Sequence, residues 1–160
     1  MNTYLIIPFL SFCVQLVAIV YGLALQKRGR VFRAFALLSA LYGVWALIDL
    51  LLWSPVPRHL AQPLTDLQFP FIIFIGVAYL YLVYCYLLRN PDTLLIAFLV
   101  LAIITIGVGL QSNLIIADTV KAEWGYTTTP GAFYLPAMIM AVMLPIIIAF
   151  ILLINQARTT

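Results

Sequence analysis

The chain reads as an all-α integral membrane protein, a bundle of five transmembrane helices, and three observations carry that reading. Hydrophobic residues make up 66% of its 160 positions and charged residues only 8%, whereas a soluble domain carries roughly 25% charged residues. Five apolar runs, at about 3–26, 31–53, 66–89, 93–111 and 131–155, each come close to the roughly 20 residues that a helix needs to cross a hydrocarbon core. The basic residues also sort by side. With the N-terminus outside, Lys27, Arg28, Arg30, Arg33, Arg89 and Arg158 fall inside, and only Arg58 and Lys121 fall outside. That is the excess expected of cytoplasmic loops. The expected topology is therefore N-terminus outside and C-terminus cytoplasmic, with one transmembrane domain over 1–160. The net charge of +3 reports orientation in the membrane, and nucleic acid is not an expected partner.

The first span has no Lys or Arg before it and four basic residues after it, so it reads as a retained helix and not as a cleaved signal. Gln15 lies mid-span and calls for a partner inside the bundle, while Ala18 and Gly22 share a face and invite close helix approach. In the second span Ser39 and Gly43 repeat the small-residue spacing, and Asp49 is the one acidic residue within an apolar run. Counted from Arg33, Asp49 lies about 24 Å along the helix, close to the outer interface. A solvated or paired headgroup carboxylate competes there with a binding or proton-responsive one.

Residues 54–65 read as a loop, because Pro55, Pro57 and Pro63 oppose helix. The single histidine, His59, falls in it without acidic or Cys partners, so no metal site is expected. The third span opens on Asp66 and Gln68, passes Pro70, carries Tyr79, Tyr81, Tyr84 and Tyr86, and ends at Arg89. Arg89-Asn90-Pro91-Asp92 is a turn in which Asp92 or Thr93 caps the next helix. The fourth span is almost featureless. Residues 112–130 form the longest loop, in which Leu114 to Glu123 is a candidate surface helix, and Trp124 and Tyr126 suit an interface. Pro136 and Pro145 predict kinks in the fifth span. Cys13 and Cys85 both fall in apolar spans and read as small hydrophobes.

No phosphate loop, metal-spaced ligand set or nucleophile–base pair is recognisable, so neither an enzyme nor a cofactor is expected. No carboxylate sits mid-membrane, which disfavours an ion pump, and inverted repeats are lacking. What remains is an outer rim of Asp49, Trp53, Asp66, Gln68, Trp124 and Tyr126, with Tyr134 beside it. The rim reads as a site for a small amphipathic ligand or a partner subunit, with a plain interfacial belt as the competing reading.

Three stretches carry a family resemblance. They are the basic turn leading into RVFRAFALLSALYGVWALIDLLLW, then LTDLQFPFIIFIGVAYLYLVYCYLL, and then WGYTTTPGAFYLPAMIM. Together they resemble the N-terminal seven-helix membrane region of bacterial sensor histidine kinases, whose sixth and seventh helices and kinase are missing here. The resemblance implies a sensor-type input module in a bacterial inner membrane that signals through a membrane-protein partner. A small accessory subunit of a respiratory, photosynthetic or transport complex is the alternative.

Overall fold

The computed structural model describes residues 3–25, 29–112 and 114–159. Of the basic loop, Lys27 and Arg28 lie outside the described residues. A single 3-10 turn, Thr3–Leu5, leads into α1 (Ile6–Ala24), which is followed by α2 (Arg30–Trp53), α3 (Arg58–Tyr86) and α4 (Thr93–Gln111). A β-hairpin, β1 (Ile116–Ala122) and β2 (Gly125–Pro130), comes next. Last comes a continuous helix made of α5 (Tyr134–Met138), a π-helical turn (Ile139–Met143) and α6 (Leu144–Thr159). Five of these helices are long and apolar enough to cross a membrane.

α3 is the axis of the bundle. More than half of its most apolar window, 56%, is buried, against 11% for α1 and 22% for α4. One stripe, Phe69, Ile73, Val77, Leu80 and Tyr84, recurs every three or four residues and packs with Leu95, Phe98 and Ala102 of α4 and with Ala141 and Ala149 of the last helix. A second face, Ile75 and Ala78, meets Leu38 of α2. α1 leans chiefly on α2, and small residues set that spacing. A Cβ at Gly22 would come 2.9 Å from the Ala36 Cβ, and Gly43 faces the Gln15 Cβ at 3.5 Å. Ala18 is half-buried and Ser39 is buried.

Two expectations are corrected. The stretch 54–65 is not a loop throughout, because α3 begins at Arg58 and so starts eight residues before the expected 66. Pro57 takes the N-cap position with extended backbone, where proline's fixed φ and missing N–H do no harm. Pro63 and Pro70 lie within the helix and remove one hydrogen bond each. Pro63 does so on an exposed face, where the freed carbonyl of His59 is not sealed in apolar packing. His59 is accordingly an exposed residue of the first helical turn.

The second correction concerns Leu114 to Glu123, which is no surface helix. Ile116–Ala122 pairs antiparallel with Gly125–Pro130, with an irregularity between Ile116 and Asp118. Val120 and the run Thr127, Thr128, Thr129 favour strand over helix. Gly125, at φ +146°, supplies the backbone that closes the turn and lies against Trp53 so closely that a Cβ would meet the Trp53 Cα.

In the last span, the two prolines stand on either side of an irregularity that the sequence did not specify, the π-helical turn. Pro145 has no N–H to offer the carbonyl of Ala141 four residues earlier, and widening the turn accommodates that defect. Gly76 of α3 then fits against the widened backbone, with its Cβ position only 2.7 Å from the Ala141 oxygen and 2.8 Å from the Val142 Cα. Only a residue without a side chain sits there unstrained.

Candidate ligand site at the hairpin end

The chain alternates direction, so the start of α1, the end of α2, the start of α3 and the hairpin gather at one end of the bundle. Asp49 and Gln68 meet there. Asp49 stands one turn before the end of α2 and Gln68 three turns into α3, and the Gln68 amide Nε2 donates to Asp49 Oδ1 at 2.6 Å. Gln68 is 7% exposed and Asp49 half-buried. A carboxylate in apolar packing must be met by donors, and this amide ties the two helices together where they lie nearest the hairpin.

The other rim residues are placed around that pair without converging on it. Asp66 is met from its own helix, by Gln62 Nε2 at 2.9 Å. Trp53 and Tyr126 join one apolar cluster with Ile48, Leu52 and Ala61, so the hairpin is pinned onto the α2–α3 end by Tyr126. Trp124, at the hairpin turn, makes an edge contact with Tyr4 before α1, with ring centroids 6.4 Å apart. Tyr134 packs against the α3–α4 core and not in the rim. The six residues thus form a polar pair, a local pair and two aromatic clasps under one hairpin.

One feature of this end was not recognisable in the sequence. The Thr119 hydroxyl of β1 is buried and is the only such side-chain group among the described residues with no hydrogen-bond partner. Thr119 is 5% exposed and sits opposite Thr128 on the hairpin. Period-two alternation through Asp118–Lys121 was the available signal, since it points Thr119 inward once the segment is a strand.

At the opposite end Tyr84 and Asp92 form a second polar contact. The Tyr84 hydroxyl donates toward the Asp92 carboxylate, 2.8 Å from each oxygen, and the same carboxylate caps α4 by accepting from the Leu94 and Leu95 amides at 3.1 Å. Asp92 lies outside the spanning segments. Its carboxyl is held below the usual range, first by the Leu95 N–H and then by the Tyr84 hydroxyl. Arg30 reaches across to the same turn and donates to Asn90 Oδ1 at 3.4 Å.

Two apolar clefts lie away from the polar pair. One of about 550 Å³ lies among Tyr21, Phe32, Phe35, Tyr79, Tyr86 and Leu153. Another of about 500 Å³ lies between α2, α3 and α4. Both are apolar, in the size range of small-molecule sites. Cys13 and Cys85 are free thiols. Among the described residues no group of three or more His, Cys, Asp or Glu side chains is arranged to hold a metal. Comparison with protein-family profiles, curated proteins and solved structures finds no match for this chain.

Proposed function

We propose that the chain is a non-enzymatic, multi-pass protein of a bacterial inner membrane, with its N-terminus outside and its C-terminus in the cytoplasm. In this reading it is a sensor-type input module, similar to the membrane region of sensor histidine kinases. It receives a small amphipathic ligand at the hairpin end and signals to a partner through α3. The observation that carries the reading is the Asp49–Gln68 hydrogen bond. Ionisable groups within spanning helices are costly and usually serve a function. Among the described residues its side-chain donor is one neutral amide, so a polar or cationic ligand head can compete for it. Displacing Gln68 uncouples α2 from the helix that carries most of the core, and α3 runs on to the Tyr84–Asp92 contact at the far end. The unpartnered Thr119 hydroxyl offers a further group for a ligand head.

The test is a thermal-shift screen of medium-chain alcohols and aliphatic amines on the purified protein. A compound that raises Tm is expected to lose its effect in Asp49→Asn and to keep or increase it in Gln68→Ala, which removes the amide it competes with. A shift that persists unchanged in Asp49→Asn removes the proposed site.

A second reading, an accessory subunit of a larger membrane complex, is supported by the exposure of α1. Val14, Val17 and Val20 are all more than 60% exposed, a face suited to lipid or to partner helices. Purification in mild detergent separates the two readings. Stoichiometric partners would favour the subunit, whereas a stable solitary protein would exclude it.

A further inference from the structure

The groove between α2, α3 and α4 is walled by Leu37 and Leu41 of α2, Phe74 and Tyr81 of α3, and Leu95 and Ile96 of α4. It encloses about 500 Å³, is apolar, and faces outward from the bundle, since Leu37 and Ile96 are 49% and 56% exposed. At the end away from the hairpin two arginines stand at its mouth. Arg33 precedes Leu37 by one helical turn, so Arg33, Leu37 and Leu41 form one stripe along α2. Arg30 bridges to Asn90 in the α3–α4 turn, just before the groove residue Pro91, and lies beside the Tyr81 hydroxyl. Arg30 and Arg33 are both exposed. Asp92 is the acidic group at this end, and its carboxylate is taken up by Tyr84 and the amides of Leu94 and Leu95. It leaves the arginines unneutralised.

We propose that this groove binds one anionic phospholipid, with an acyl chain along Leu37, Leu41, Phe74 and Leu95 and the phosphate on Arg30 and Arg33. The charge pattern selects this occupant. The walls are apolar along their length and cationic only at one mouth. That matches a hydrocarbon chain ending in an anionic head, and guanidinium pairs with phosphate through two parallel hydrogen bonds. Placing arginines at the end of an apolar face also lets their heads reach the headgroup layer while their stems stay on the groove. This site is separate from the hairpin end and stands or falls without the sensor reading.

The experiment compares Tm of the full chain in mixed micelles of phosphatidylglycerol or phosphatidylcholine with identical acyl chains. Phosphatidylglycerol is expected to raise Tm by about 3 °C or more over phosphatidylcholine. The gain is expected to vanish in the Arg30→Gln/Arg33→Gln chain and to persist in Arg58→Gln, which removes an exposed arginine at the hairpin end. Leu37→Trp, which fills the groove with both arginines intact, is expected to abolish it as well. An equal gain in the parent and the double arginine variant overturns the proposal, and so does a gain that survives Leu37→Trp. A rise with soluble glycerol phosphate as large as that with the lipid also overturns it, because the chain would then contribute nothing. If Leu37→Trp instead turns a dimer into a monomer without any lipid dependence, a second copy of the chain occupies the groove and the lipid assignment fails.

Discussion

Among the described residues the Gln68 amide is the side-chain donor to the Asp49 carboxylate, so the two residues are unequal in what their loss costs. Gln68→Leu leaves a carboxylate in apolar packing without its amide and is expected to destabilise the protein by about 1–3 kcal/mol. The double variant Asp49→Leu/Gln68→Leu, which removes both polar groups, is expected to lose less than Gln68→Leu alone. Denaturant titration in detergent micelles measures both, and a double variant worse than the single would contradict the pairing.

Asp92 gives a pH-dependent test at the same scale. Its carboxyl titrates below the usual range because the Leu95 amide and then the Tyr84 hydroxyl favour the charged form. A depressed folded-state pKa stabilises the protein above the unfolded-state value near 3.9, and that contribution is lost as pH falls through the lower folded value. Asp92→Ala is therefore expected to lower Tm at neutral pH, and its gap from the parent is expected to close below about pH 4. A gap that is constant with pH would show that the charge is not what stabilises the cap. The turn left Asp92 and Thr93 as alternative caps, and the structure makes Asp92 the cap. Its grip on Tyr84 was not legible in the sequence, because that contact depends on how α3 ends. Leu88 adopts the left-handed conformation at φ 55°, and the Arg89 N–H returns to the Tyr84 carbonyl at 2.9 Å.

Among the elements, the last helix shows how far local signals reach. Pro136 and Pro145 marked it as irregular, and the missing donor at Pro145 is a property of the residue itself. That the irregularity is a π-helical turn seated on Gly76 depends on a residue about 65 positions away in the chain. Gly76→Ala is expected to destabilise the protein by about 1–3 kcal/mol, since the added methyl meets backbone atoms that cannot rotate away. Gly107→Ala has open space around it and is expected to be neutral or stabilising by up to about 1 kcal/mol, from helix propensity. Thermal unfolding of the two variants side by side checks the pair, and equal effects would argue against the Gly76 contact.

The hairpin was missed for a different reason. Ile116–Pro130 mixes charged, β-branched and aromatic residues at a length that suits either a surface helix or two short strands. The choice is made by Gly125 against Trp53 and by Tyr126 in the Ile48–Leu52–Ala61 cluster. Propensity alone is weaker than that packing.

For the whole molecule, orientation is the property to test. With Cys13 and Cys85 replaced by Ala, a cysteine at the exposed Val120 is expected to react with a membrane-impermeant maleimide on intact cells. A cysteine at the exposed Arg89 is expected to react only after permeabilisation. The opposite pattern would reverse the proposed topology.

By itself the sequence determined five long apolar helices. Length and composition decide that locally, because an apolar segment must satisfy its backbone hydrogen bonds within itself wherever it meets lipid. It also placed Asp49 and Gln68 in one outer rim, since each is a polar group near the same end of an apolar run. Only the tertiary structure decided that each meets the other. It also decided that the remaining rim residues divide into separate clasps, and that the ligand-sized clefts open elsewhere. Those outcomes follow from the rotation of α3 against α2 and from the seating of the hairpin. Both are set by contacts between residues far apart in the chain, such as Gly125 on Leu52 and Gly76 on Ala141, which no local pattern encodes.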